Sequence, residues 1–222
     1  FRKKLNCLNI NLEIVNTNSF KLFFDNLLEK KNFNIYWNKV YEPDYLQFDE
    51  YLSSNLNKKN ISFKRFKGNA LNEINEIKKG DGTPFKVFTP FWRTAEKFYI
   101  EKIPSREKMI KKCKKKITYF KNCVEPEQIF PKKKWFKNFE KLWSPDEESA
   151  SKELKNFIKD RVINYSEARN FPSRIGTSKL SPFIKFGQIH VETIWNECNN
   201  NRKKTIGTSK FLAEIGWREF NH

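Results

Sequence analysis

Apolar and polar residues alternate from residue 8 to residue 15, where Leu8, Ile10, Leu12 and Ile14 are separated by Asn and Glu, and this period of two predicts a strand. Ser19 then precedes an amphipathic run from Phe20 to Lys30, the arrangement of a capped helix. A second strand is predicted at residues 33–37, a helix at 42–57 and a third strand at 61–66. Strand, helix, strand, helix, strand in that order describes a parallel sheet covered by helices. An antiparallel α+β arrangement stays open, because periodicity does not set strand direction. Gly80-Asp81-Gly82-Thr83-Pro84 reads as a turn, its glycines supplying unusual dihedrals and its proline stopping any helix.

Beyond residue 96 the pattern changes. The chain becomes basic and punctuated by proline up to residue 145, with Lys111, Lys112, Lys114, Lys115 and Lys116 and then Lys132, Lys133 and Lys134. Such runs are mostly solvated faces, with DNA contact the alternative. From Asp146 the spacing turns helical, with Leu154, Phe157, Ile158, Arg161 and Val162 on one side up to Tyr165. The expected division is therefore an α/β domain at 1–95, a connector at 96–145 and the beginning of a helical domain at 146–222.

Composition narrows the function classes. A chain of 222 residues with 38% hydrophobic and 16% aromatic residues can build a core and is not a disordered polymer. Its net charge of +18 exceeds what solubility needs and favours a polyanionic partner, although abundant Lys, Asn, Ile and Phe also fit an AT-rich coding sequence. Cys7, Cys113, Cys123 and Cys198 are scattered and accompanied by only two histidines, which argues against zinc or a disulfide framework and for a reducing cytoplasm. No apolar run reaches the length of a bilayer span. The chain opens at Phe1 and stops at His222 within a helical pattern, so a fragment is expected.

Two segments carry chemistry. Gly176-Thr177-Ser178-Lys179-Leu180-Ser181-Pro182-Phe183 places three hydroxyls beside a helix start, with Ser181 expected as N-cap and Pro182 at the first helical position. Free backbone N–H groups and hydroxyls there make a pyrophosphate cradle, although short Thr/Ser loops most often only cap helices. In Phe211–Phe220, Glu214 stands three residues before Trp217 and four before Arg218, so acid, indole and guanidinium share one helix side. That set suits a base, its edge and a phosphate. The bland readings are a core aromatic for Trp217 and a solvated acid for Glu214. Ile-Gly-Thr-Ser-Lys occurs at 175–179 and again at 206–210; the second copy reads as a helix cap, and neither has P-loop spacing.

These two segments resemble the DNA photolyase and cryptochrome family. So do Tyr36-Trp37-Asn38 with Tyr41-Glu42-Pro43, the run from Gly82 to Arg93, Trp143-Ser144-Pro145, and Tyr165 through Arg169-Asn170-Phe171-Pro172. The resemblance implies a partial Rossmann-like α/β amino-terminal domain, its first strand region missing, followed by the start of an all-α FAD-binding domain. It implies that Tyr165, Thr177, Ser178, Lys179, Leu180, Ser181, Phe211 and Arg218 lie at the flavin, with Lys179 where the family usually has arginine. Arg169, Glu214, Trp217 and Arg218 are implied at ultraviolet-damaged DNA. The implied activity is most like that of a class I cyclobutane pyrimidine dimer photolyase, a light-driven lyase using reduced FAD. No catalytic acid–base triad is visible within the chain, and the fragment alone is expected to be inactive. Glutamate at 214 favours dimer repair, since relatives that signal or repair the other photoproduct tend to have glutamine there. Asp44 and Tyr45 replace the Asn-Glu pair of folate-holding relatives, so a second, antenna chromophore stays unassigned. A blue-light photoreceptor and a basic binding module without flavin are the alternatives. A monomer without membrane attachment or metal is expected.

Overall fold

The computed structural model describes residues 2–29, 33–73, 76–101, 111–118, 120, 123–133, 135–200 and 204–221. Along the chain these form α1 (Arg2–Cys7), α2 (Phe20–Leu28), β1 (Ile35–Asn38), α3 (Pro43–Lys58), β2 (Phe63–Phe66), α4 (Phe88–Glu101), α5 (Pro126–Ile129) and α6 (Lys137–Glu140). There follow α7 (Glu147–Asn156), a π turn (Phe157–Arg161), a 3-10 turn (Val162–Asn164), α8 (Tyr165–Ala168), α9 (Ser181–Lys185), α10 (Val191–Asn200) and α11 (Ile206–Phe220). The fold is α/β, a small two-stranded parallel sheet with helices, followed by a helical region. Lys30, the expected end of the first long helix, and Lys134 lie outside the described residues.

Two packing units interleave along the chain. One comprises the described residues of 1–34, 50–63 and 105–144, the other those of 35–49, 64–104 and 145–222. In the first, Ser19 caps α2 as its position predicted, its Oγ accepting from Leu22 N at 3.2 Å. The strand expected at residues 8–15 does not form. Asn9 takes a left-handed φ of 57° at the end of α1, where it closes the helix. Beyond it, backbone bonds are isolated: Cys113 N donates to Leu8 O and Val124 N to Ile14 O, each at 2.8 Å, while Glu13 accepts from Phe120 N at 3.0 Å. Alternation in sequence predicted a ladder; single bonds to a loop satisfy the backbone instead.

In the second unit β1 and β2 form where residues 33–37 and 61–66 predicted strands, shifted by a residue or two. The ladder extends through Lys39 N to Phe66 O at 3.0 Å. Asp49 accepts from Trp37 Nε1 and, at 2.7 Å, from Arg65 Nη1, joining both strands to α3. The predicted turn is held by Asp81, whose Oδ1 accepts from Thr83 N at 2.9 Å and Thr83 Oγ1 at 2.6 Å; these bonds hold its carboxyl below the ordinary range. Gly82 supplies the positive φ, 80°.

The helical part of this unit packs around aromatic rings. Phe157, Tyr165 and Phe211 meet pairwise at centroid distances of 4.6 to 5.6 Å and are buried. Trp195 lies edge-on to Trp92 and Tyr99, at 5.9 and 5.1 Å, tying α10 to α4. Thr205 caps α11, accepting from Thr208 N at 3.1 Å, so the second Ile-Gly-Thr-Ser-Lys copy forms that helix's first turn. Two glycines let α11 come close to its neighbours. A Cβ on Gly207 would overlap the Val162 carbonyl oxygen, and one on Gly216 would overlap the Trp92 ring.

Gly207→Ala sets two effects against each other. Alanine gains about 1 kcal/mol of helix propensity, but its methyl group collides with backbone that cannot swing aside, a cost of about 1–3 kcal/mol. A net loss of stability is expected, read as a lower thermal midpoint by circular dichroism. A raised midpoint would show that α11 does not sit this close to the 3-10 turn.

Candidate functional site

The hydroxyl loop is docked from below and open above. Gly176 is buried, and a Cβ there would overlap the Ala168 carbonyl at the end of α8. Leu180 is 1% exposed and anchors the loop in the core, while Thr177, Lys179 and Ser181 are exposed. Lys179 adopts a left-handed φ of 55°, and Leu180 follows with right-handed values (φ −87°, ψ −13°). Consecutive residues of opposite hand turn their N–H groups toward one concavity, a shape that holds anionic oxygens. Ser178 Oγ accepts weakly from Leu180 N at 3.4 Å.

One expectation is corrected here. Ser181 is not the N-cap of α9 but its first residue; Leu180 occupies the cap position with helical dihedrals and no side-chain bond to the helix. The left-handed turn at Lys179 brings the chain into helical geometry one residue early. Among the described residues Ser181 Oγ has no hydrogen-bond partner.

On α11 the sequence-predicted residues take different neighbours. Glu214 pairs through Oε1 with Arg169 and, at 3.5 Å, with Lys210 one turn earlier. The Arg169 guanidinium lies 5.5 Å from the centroid of the Tyr165 ring, and its bond to Glu214 raises its pKa. Burial likewise raises the Tyr165 hydroxyl. Tyr165 and Phe211, both expected at a cofactor, pack against each other in the aromatic cluster below. Trp217 is 41% exposed and stacks on Phe88 of α4, with centroids 3.9 Å apart and planes inclined by 9°. Arg218 donates from Nη1 to Glu219 Oε1 at 2.8 Å.

The structure thus joins Arg169, Glu214 and Tyr165 in one group and gives Trp217 and Arg218 supports of their own. Exposed hydroxyls and paired N–H groups suit an anion such as a diphosphate. An exposed indole beside a guanidinium suits a base and a phosphate. Among the described residues no His, Cys, Asp and Glu cluster is arranged to hold a metal ion, and no helix is long and apolar enough to cross a membrane.

The profile of the family described as DNA photolyase matches residues 1–109. The deoxyribodipyrimidine photo-lyase of Agrobacterium fabrum is 30% identical over 192 residues, 84% of this chain and 39% of that protein. The crystal structure of a bacterial class III photolyase from Agrobacterium tumefaciens superposes with a TM-score of 0.82 at 25% identity, covering 99% of this chain and 46% of that one. The chain belongs to the DNA photolyase and cryptochrome family. Cryptochrome-2 of Arabidopsis thaliana is 27% identical, over 99% of this chain and 38% of that protein. The photolyase-family chain therefore spans less than half the length of each of these relatives.

Two residues of this photolyase-family chain escaped sequence reasoning. Phe88, the stacking partner of Trp217, stood within a recognised motif but gave no sign of its neighbour. Nothing in the pattern singled out Glu219, yet its side chain is only 4% exposed. It accepts from Leu71 N at 2.8 Å and Asn72 N at 3.4 Å as well as from Arg218. These amides lie some 147 residues away in sequence, so no local pattern announces them.

Burial raises the Glu219 pKa against the lowering effect of Arg218 and the two amides. A carboxyl raised in the folded state contributes stability below its unfolded value, near 4.3, and loses it as pH rises through the folded value. Glu219→Gln removes that loss. The stability of the variant relative to the parent is expected to rise from about pH 4 to about pH 7, measured by urea unfolding at both ends. A difference independent of pH would place Glu219 in contact with water.

Proposed function

We propose that the complete gene product carrying this chain repairs cyclobutane pyrimidine dimers in ultraviolet-damaged DNA under light, with FAD as cofactor. The observation that carries this reading is the α11 surface, where Trp217 stands exposed on a rigid aromatic support and Arg218 is held by a buried carboxylate. Family membership supports it, and the relative with 30% identity is named for that activity. The reading holds equally for class I, which the motifs suggest, and for class III, the description of the solved relative.

The hydroxyl loop fits a flavin diphosphate in chemical type: exposed Thr177, Lys179 and Ser181 around N–H groups turned to one side. Tyr165 and Phe211 would act beneath it as packing. Reduced FAD, when bound and excited, supplies the electron that splits the dimer. The protein's own residues bind and orient. Trp217 offers a flat apolar surface to an extruded lesion, whose departure from the stack costs less than that of an intact base pair. Glu214 accepts from the N–H edge of a thymine through Oε2, since both its ion pairs run through Oε1. Arg169 and Arg218 meet phosphate or base oxygens.

A second reading, a flavin-binding photoreceptor without repair, is favoured by the likeness to Cryptochrome-2 over 99% of this chain. One assay separates them. With reduced FAD and the complete gene product, loss of dimers from an irradiated thymine oligonucleotide is expected in light and not in darkness. Bound flavin without light-dependent repair would assign the photoreceptor. Trp217→Ala is expected to weaken binding of a dimer-containing oligonucleotide by roughly 5–150-fold, the equivalent of about 1–3 kcal/mol of stacking. Unchanged affinity would remove Trp217 from the lesion site.

A further inference from the structure

The segment from Ile129 to Leu142, which belongs to the first packing unit, exposes apolar surface that the core does not use. Phe130 is 61% exposed, Trp135 68% and Phe139 53%. Their rings form one cluster with Phe136: Trp135 lies 5.9 Å from Phe136 and 6.1 Å from Phe139, and Phe130 lies 6.3 Å from Phe136. Trp135 meets its neighbours edge-on, at 85° and 87°, so the cluster contains no parallel stack around the indole. Contiguous apolar patches of this kind mark interaction sites.

Charge identifies the occupant. Lys132, Lys133, Lys137 and Lys141 are exposed among these rings and Glu140 is the segment's acid, so the patch attracts an anion while offering aromatic surfaces. Acidic protein segments supply charge but few planes to stack. An anionic membrane accepts Trp and Phe, but an interfacial anchor needs an apolar stripe along a continuous helix. Here α5 and α6 have four residues each, with Pro131 among the residues between them in sequence, and make no such stripe. Single-stranded nucleic acid supplies both elements at once, phosphates for lysines and base faces for aromatic rings.

We propose that this aromatic and lysine-rich patch is a second nucleic-acid contact, binding undamaged single-stranded DNA by stacking on Trp135 and Phe139 and by phosphate contact with Lys132, Lys133 and Lys137. It does not rest on the photolyase reading, because it needs neither flavin nor lesion.

The test is fluorescence anisotropy of a labelled oligothymidylate of about 20 nucleotides, long enough for several stacking sites, titrated with the full chain in darkness without flavin. Trp135→Ala is expected to weaken binding roughly 5–150-fold, while Trp135→Phe, which keeps a stacking plane, retains most of it. Combined Lys132→Gln, Lys133→Gln and Lys137→Gln should reduce the slope of log affinity against log salt by about 2, at about 0.7 for each lost phosphate contact. Circular dichroism checks that each variant stays folded. Equal affinity for parent and Trp135→Ala overturns the proposal. So does an unchanged salt slope, or binding to vesicles of anionic phospholipid without binding to the oligonucleotide. Failure of the complete gene product to repair dimers, with these effects present in the chain, refutes the repair activity and leaves this contact standing.

Discussion

The segment after β2, residues 67–72, leaves its sheet and must satisfy its backbone groups where water does not reach them. Residues far along the chain do this. Glu219 takes the amides of Leu71 and Asn72, His190 Nε2 meets Gly68 O at 3.1 Å, and Asn69 bridges the Ile184 carbonyl and, at 3.0 Å, Val191 N. Lys67 pairs with Glu192 and also donates to Leu71 O at 2.7 Å. A buried amide left without its acceptor costs about 1–3 kcal/mol, so this segment cannot detach from α9, α10 and α11 without several such losses. The exit of the sheet and the start of the helical region are one structure for that reason.

The same constraint reaches the candidate site through a single residue. Glu219 follows Arg218 directly, and one carboxylate binds both the segment's amides and the guanidinium. The arginine is thereby held by a residue that is itself held. Trp217 is treated comparably: Phe88 fixes one stacking partner, and close passage of α11 against Trp92 at Gly216 leaves the helix little freedom to roll. Side chains fixed before a ligand arrives lose less entropy on binding it. The second packing unit therefore presents an indole and a guanidinium from a helix whose position is set by contacts at both ends.

What was legible in the sequence was local. Ser19 and its helix, the Asp81–Gly82 turn, both strands and the helical pattern after Asp146 follow from spacing and turn chemistry within a few residues. Residues 8–15 show where that reasoning stops. Their alternation matched a strand, but a strand exists only if a neighbour offers a regular ladder, and the segment bearing Cys113 and Val124 offers single bonds. Ser181 erred by one position because the left-handed turn at Lys179 is invisible in residue type; Gly or Asn would have signalled it. At the site, the helix side shared by Glu214, Trp217 and Arg218 was readable from their spacing. Their partners Arg169, Phe88 and Glu219's distant amides were not, because tertiary neighbours leave no periodic trace.

Lys179 joins these strands of argument. A non-glycine residue at positive φ costs of order 1–3 kcal/mol, and glycine would remove that cost. Gly187, just after α9, shows the chain using glycine for such a turn. At 179 the chain keeps a cation instead, exposed, beside two exposed hydroxyl residues and next to a residue of opposite hand. Strain retained where a cheaper residue exists points to a requirement for that side chain. A positive charge beside exposed hydroxyls is what an anionic ligand would favour, and a lysine supplies it as a point charge where an arginine would add a planar fork.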